Sequence, residues 1–141
     1  MSPRGKRYFT QWAAQFYAAA ELTRRGYLVS LTLGNAPESD LLVRSPSGIH
    51  FEIDVKGLSS RNFWLVQERK ARADLYFILV LVPSGGSSPM YFVMSSSELM
   101  AAIAESKRQT LAAGRLWRET GSGINWGAGL AYQDRWEALP A

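Results

Sequence analysis

The chain contains no cysteine. Disulfides, thiolate metal sites and cysteine nucleophiles are therefore excluded. Histidine occurs once, at His50. That excludes a zinc site built from several imidazoles and any two-histidine acid/base pair. A metal, if one is used, must be held by oxygen ligands, which suits magnesium or manganese. No apolar run approaches the ~20 residues needed to span a bilayer, so no membrane association is expected. The basic first residues are not followed by an apolar run with a cleavage site, and with no cysteine the expected location is the cytoplasm. Gly121-Ser122-Gly123 lacks the lysine and the strand–helix context of a phosphate-binding loop.

What is there fits one domain, residues 1–141. At 47% hydrophobic residues the chain can build a core without staples. The net charge of +4 and a pI of about 9.6 are a mild bias toward polyanions. Basic residues gather in Arg4 to Arg7, Arg24-Arg25, Arg61 to Arg72 and Lys107 to Arg118. Each cluster alone also suits an ordinary solvated surface. If nucleic acid binds, Arg61, Lys70 and Arg72 are the expected contacts.

The run from Lys6 to Arg25 predicts a helix, rich in alanine and free of internal Gly and Pro. Phe9, Trp12, Ala13, Phe16 and Ala20 recur at helical spacing and predict its core-facing stripe, and Gly26 supplies the stop. Strands are expected over Tyr27–Leu33 and Asp40–Arg44, with Ser45-Pro46-Ser47-Gly48 as a tight turn into a third strand. Phe63–Val66 reads as a strand or the start of a helix, and Gln67–Ala73 as helix-compatible. Asp74–Val82 is a near-continuous apolar run expected to form a strand buried on both faces. Met90–Met94 reads as another strand. Ser95 to Glu98 open a second helix in capping style, with Leu99, Met100, Ile103 and Leu111 toward the core. Residues 114–129 hold five of the 12 glycines and are expected to be irregular. A short final helix is anchored by Tyr132 and Trp136. Partial alternation of strands and helices predicts a mixed sheet with helices packed on it.

The third strand carries the chemistry. With a period of two, Ile49, Phe51, Ile53 and Val55 share one face, and His50, Glu52, Asp54 and Lys56 the other. Same-face neighbours on a strand lie roughly 6.5–7 Å apart, so Asp54 and Lys56 can reach one small site. A plain Asp–Lys surface pair, worth a few tenths of a kcal/mol, fits the same residues. The hairpin turn brings Asp40 toward Asp54, and Glu21 comes from the preceding helix. Glu21 can equally pair with Arg24 or Arg25 at i+3 or i+4. Clustered carboxylates raise one another's pKa unless a cation neutralises them. A divalent ion does that, and Lys56 adds a fixed positive charge. The combination suits phosphodiester hydrolysis.

Asp40, then Asp54-Val55-Lys56, with Glu21 on an upstream helix, resembles the PD-(D/E)XK nuclease superfamily. The layout with an N-terminal helix is most similar to the small Holliday-junction-resolvase-like members, over roughly residues 6 to 94. The resemblance implies a restriction-endonuclease-like α/β fold: a single domain with a central mixed β-sheet flanked by helices. It implies that Asp40, Asp54, the Val55 carbonyl and Glu21 hold Mg²⁺ or Mn²⁺, and that Lys56 acts in catalysis. Gln67 matches weakly a glutamine that several members carry after the lysine, and Glu52 is a candidate supporting residue. Ser39 stands where the family has proline, and Asp54 where glutamate is commoner. The expectation is a metal-dependent nuclease acting on nucleic acid, DNA before RNA, as a homodimer or with a larger protein partner. An inactive nucleic-acid-binding module on the same fold and a protein–protein interaction domain are the alternatives.

Overall fold

The computed structural model describes residues 2–141, apart from the side chain of Thr120. Helix α1 (Pro3–Arg24) begins where the Ser2 hydroxyl accepts the Gly5 N–H, with Pro3 at its first position. It ends at Gly26, whose φ of +90° suits a residue without Cβ. Strands β1 (Leu28–Leu31), β2 (Leu41–Arg44) and β3 (His50–Leu58) form an antiparallel meander. A short strand β4 (Phe63–Leu65) follows, then β5 (Leu75–Leu81) and β6 (Met90–Ser95). β5 lies parallel to β3 and antiparallel to β6, so the five-stranded sheet is mixed, in the order β1-β2-β3-β5-β6. This is a single α/β domain. Among the described residues, no helix is long and apolar enough to cross a membrane.

Each face of the sheet has its own cluster. Leu41, Val43, Phe51, Ile53, Val55 and Ile78 pack against Ala14, Ala18 and Leu22 of α1. On the other face Phe77, Leu79, Phe92 and Met94 pack with Leu99 and Ile103 of helix α2 (Ser96–Ala112) and with Trp64 of β4. β5 contributes alternate residues to both clusters, which is why its sequence is apolar without a break. α2 opens with the expected capping box of Ser95 and Glu98.

The face of α1 is a correction. Ala14, Gln15, Ala18, Ala19 and Leu22 are buried, whereas Phe9 and Phe16 are 59% and 55% exposed. Tyr8, Phe9, Trp12 and Phe16 pack on one another along the outer side. The reason is closeness of approach. A Cβ built on Gly57 of β3 would stand 2.8 Å from Ala14 Cβ and 3.0 Å from the Thr10 carbonyl oxygen. Only small residues fit between helix and sheet at that distance.

Four further expectations change. Residues 66–74 form no helix and connect β4 to β5 without regular structure, ending in a turn at residues 73–74. Leu111 of α2 is exposed. Residues 114–129 are partly regular: β7 (Gly123–Asn125) pairs antiparallel with β4, and α3 (Trp126–Gly129) follows. Gly123, at φ +148°, lies so close to the Trp64 carbonyl that no side chain could be added. The expected final helix is a pair of 3₁₀ turns, Leu130–Tyr132 and Trp136–Ala138, with Trp136 buried.

Candidate active site

β3 outruns its partner. β2 pairs with it from His50 to Ile53, and beyond that point the β2-side edge of β3 has no strand. On this edge lie the main-chain groups of the odd-numbered residues, since Glu52 and Leu58 bond toward β5. Buried main-chain polar groups need partners. Side chains supply them. The Asp40 Oδ2 accepts the Val55 N–H at 2.8 Å. The Gln11 amide of α1 donates to the Val55 carbonyl at 2.6 Å and accepts the Gly57 N–H at 3.1 Å. Asp40 is itself fixed by its own N–H, which donates to the Ile53 carbonyl at 2.9 Å. Loss of the strand ladder is thus what draws Asp40 and Gln11 to the end of β3.

Asp54 sits on the opposite face from Val55 and is buried. The Arg69 guanidinium donates to its Oδ2 at 2.7 Å, and Lys56 Nζ stands 3.2 Å from its Oδ1. Oδ1 nevertheless accepts no hydrogen bond. Arg69 lies over the Phe77 ring at 5.0 Å, a cation–π seat in low-dielectric surroundings. Asp40 carries a raised pKa. Burial is the largest cause, and the neighbouring Asp54 carboxylate adds to it. The Val55 N–H and Lys56 pull the other way. Two carboxylates and two cations meet in a largely buried corner, where burial still holds the Asp40 pKa up.

The structure therefore brings Asp40, Asp54, Val55 and Lys56 together. It separates Glu21 from them. Glu21 accepts bonds from Arg24 at 2.6 Å and Arg25 at 2.9 Å in the last turns of α1. The Gln11 side chain, not that of Glu21, reaches β3, and ten helical residues amount to about 15 Å. These pairs lower the Glu21 pKa, with the Arg24 hydrogen bond first among the causes. Among the described residues, no three His, Cys, Asp or Glu side chains are grouped to hold a metal. What remains as a donor set is two carboxylates and a main-chain carbonyl.

Glu52 stands aside from the carboxylate pair. It accepts from the Ser39 hydroxyl and from Arg72 at 2.6 Å, which steadies the residue before Asp40. Arg72 also bonds Asp74 and reaches Glu38, so this expected nucleic-acid contact is engaged with three carboxylates. Asp74 and Glu52 raise its pKa, the Asp74 hydrogen bond most of all. Arg61 is exposed and lies over the Trp126 ring at 5.0 Å, and Lys70 is exposed. Gln67 is exposed and lines a groove with Leu65, Val66, Glu119 and Ser122, none of them a residue of the carboxylate pair. His50 is exposed.

Gln11 and Arg69 were not singled out from the sequence. Gln11 had a usable signal. Gln11, Ala14, Gln15, Ala18 and Leu22 form a helical stripe of small residues and glutamines. Arg69 had none, because its segment has no period that ties it to Asp54.

A cavity of about 460 Å³ beside this corner opens between the first turns of α1, the end of β3 and β4. Lys56 lines it. Comparison with protein-family models, with curated proteins and with solved structures finds no match to this chain.

Proposed function

We propose that the chain is a divalent-metal-dependent nuclease of restriction-endonuclease-like fold, with DNA as its substrate. One observation carries the reading: an acid pair, Asp40 and Asp54, with Lys56 Nζ 3.2 Å from the buried, unbonded Oδ1 of Asp54. Divalent magnesium is commonly held by one or two carboxylates with water completing its shell. Asp40, Asp54 Oδ1 and the Val55 carbonyl fit that donor set, and a cation there would offset the burial and the Asp54 carboxylate that raise the Asp40 pKa. When bound, the ion supplies Lewis acidity toward a phosphate oxygen and toward the attacking water.

The chain's own residues do the rest. Lys56 presents a fixed ammonium to the charge that builds on the phosphate. Arg69 holds Asp54 in one rotamer from behind, and Gln11 fixes the end of β3 against α1. Glu21 has no part in this mechanism. A homodimer or a larger partner adds the surface needed to grip a duplex, which analytical ultracentrifugation checks.

The test is a cleavage screen over duplex, branched and single-stranded substrates with magnesium, manganese or EDTA. Metal-dependent cleavage is expected, and Lys56→Met should lower it by on the order of 10²-fold while binding to DNA changes far less. Equal cleavage by wild type and Lys56→Met removes Lys56 from the mechanism. A second reading, an inactive nucleic-acid-binding module, is favoured by Arg69 on Asp54 Oδ2 and the Val55 N–H on Asp40 Oδ2. Binding with no cleavage on any substrate would select it.

A further inference from the structure

The cavity beside Lys56 is lined by both charge and apolar surface. Lys6 and Arg7 of α1 and Lys56 of β3 line it, and every charged side chain among its described lining residues is basic. Leu58, Phe63 and Leu65 supply the apolar part, and Leu65 is 58% exposed although it belongs to a strand. Arg24, Arg25, Arg69 and Arg72 are engaged with carboxylates. Lys6 and Arg7 have no ion-pair partner among the described residues. Unneutralised cations in one cavity with an apolar, partly aromatic lining match a ligand with an anionic end and a flat apolar body.

We infer that this cavity takes one unpaired nucleotide of the substrate strand, its base against Phe63 and Leu65 and its phosphate on Lys6 and Arg7. The inference rests on the nuclease reading for its place: Lys56 belongs both to the cavity and to the carboxylate corner. A strand whose phosphate lies at Lys56 delivers its neighbouring nucleotide to the opening. About 460 Å³ suits one nucleotide and leaves no room for a base pair with its second backbone. A base still stacked and paired cannot enter, because its faces and one edge are already covered. The substrate class is therefore nucleic acid with a free strand at the cut, such as an overhang, a flap or a single strand, rather than an unbroken duplex.

The experiment uses the full chain in EDTA and follows fluorescence anisotropy of a labelled twelve-nucleotide strand, as DNA and as RNA, and of the blunt duplex of the same sequence. Single-strand binding is expected to be the tighter. Leu65→Asp should weaken it by about fivefold or more, the loss of one base contact, and leave duplex binding unchanged. Lys6→Gln with Arg7→Gln, both on an exposed helix surface, should flatten its salt dependence. The DNA and RNA arms decide which sugar the cavity prefers. Equal affinity for strand and duplex, or no effect of Leu65→Asp on the strand, overturns the inference. Cleavage with magnesium or manganese is scored separately. Strand-selective, Leu65-dependent binding without cleavage keeps the cavity and removes the nuclease. Duplex cleavage indifferent to Leu65 keeps the nuclease and removes the cavity's role.

Discussion

The two halves of β3 differ in what stands at their edge. From His50 to Ile53 the strand has β2 on one side, and β5 joins it on the other from Glu52 onward. Its main-chain groups on the β2 side are met by the ladder, and its one notable charged pair, Glu52 with Arg72, lies partly in solvent. From Asp54 to Leu58 only β5 continues. There the missing ladder is replaced by the side chains of Asp40 and Gln11. The same replacement gathers charge in a buried place. A regular sheet leaves no room for a side chain at a strand edge, and an interrupted one requires it. Candidate chemistry collects where the ladder stops.

The largest effect expected from this contrast is on Arg69. Arg69→Met keeps an apolar stem, removes the guanidinium from over Phe77 and leaves Asp54 buried without its Arg69 hydrogen bond. Urea unfolding in EDTA should show a loss of about 3 kcal/mol. Magnesium should restore part of it by linkage if the two carboxylates take the ion. Absence of any recovery at millimolar magnesium counts against the metal reading. The same change in the paired half, Arg72→Met, should cost about 1 kcal/mol or less, since that pair is solvent-screened. Equal losses for the two would erase the difference between the halves.

Gly57→Val comes next and tests the close approach of α1. Its first added carbon meets Ala14 and the Thr10 carbonyl, and overpacking of this kind costs about 2 kcal/mol. Circular dichroism melts should show the lower Tm.

Asp40→Asn is expected to be smaller and opposite in sign. Burial and the Asp54 carboxylate raise the Asp40 pKa above the ordinary 3.8, so the folded chain holds this proton more tightly than the unfolded chain. Ionised Asp40 therefore costs stability at neutral pH, and the cost fades as pH falls through the raised pKa toward 3.8. Without metal, Asp40→Asn should raise Tm at pH 7, with the difference closing in acid, while any cleavage activity is lost. An Asn oxygen can still accept the Val55 N–H.

The smallest effect belongs to Glu21→Gln, far from both halves. The lowered Glu21 pKa means its pairs stabilise the fold above the ordinary 4.5 and weaken as pH falls through the lowered value. Losing them should cost at most ~1 kcal/mol and leave cleavage rates unchanged. A fall in activity with intact stability would return Glu21 to the site.

Much of the fold was readable before any tertiary structure was in hand. Period-two alternation marked β3, the Ser45–Gly48 turn marked its hairpin, an unbroken apolar run marked β5, and Ser95 with Glu98 marked the start of α2. These are local signals, because side-chain direction and capping depend on neighbours within a few residues. The nearness of Asp40 to Asp54 followed from the same turn, and that of Lys56 from strand spacing.

What only tertiary structure decided depends on packing across long separations. α1 is apolar on more than one side, so its periodicity could not say which side meets the sheet. Gly57 against Ala14 decided for the small residues and left Phe9 and Phe16 outside. Glu21 is on the upstream helix, as the sequence reading had it, yet the ten residues separating it from Gln11 put it with Arg24 and Arg25. Arg69 reached Asp54 from an irregular connection between β4 and β5, a path no local pattern records. Sequence alone determined which residue types were on hand for the chemistry: oxygen ligands and cations, without thiol or an imidazole cluster. Their grouping at the end of β3 came from a strand that outlasts its neighbour, since unmet main-chain groups in a buried place recruit whatever polar side chains the packing brings within reach.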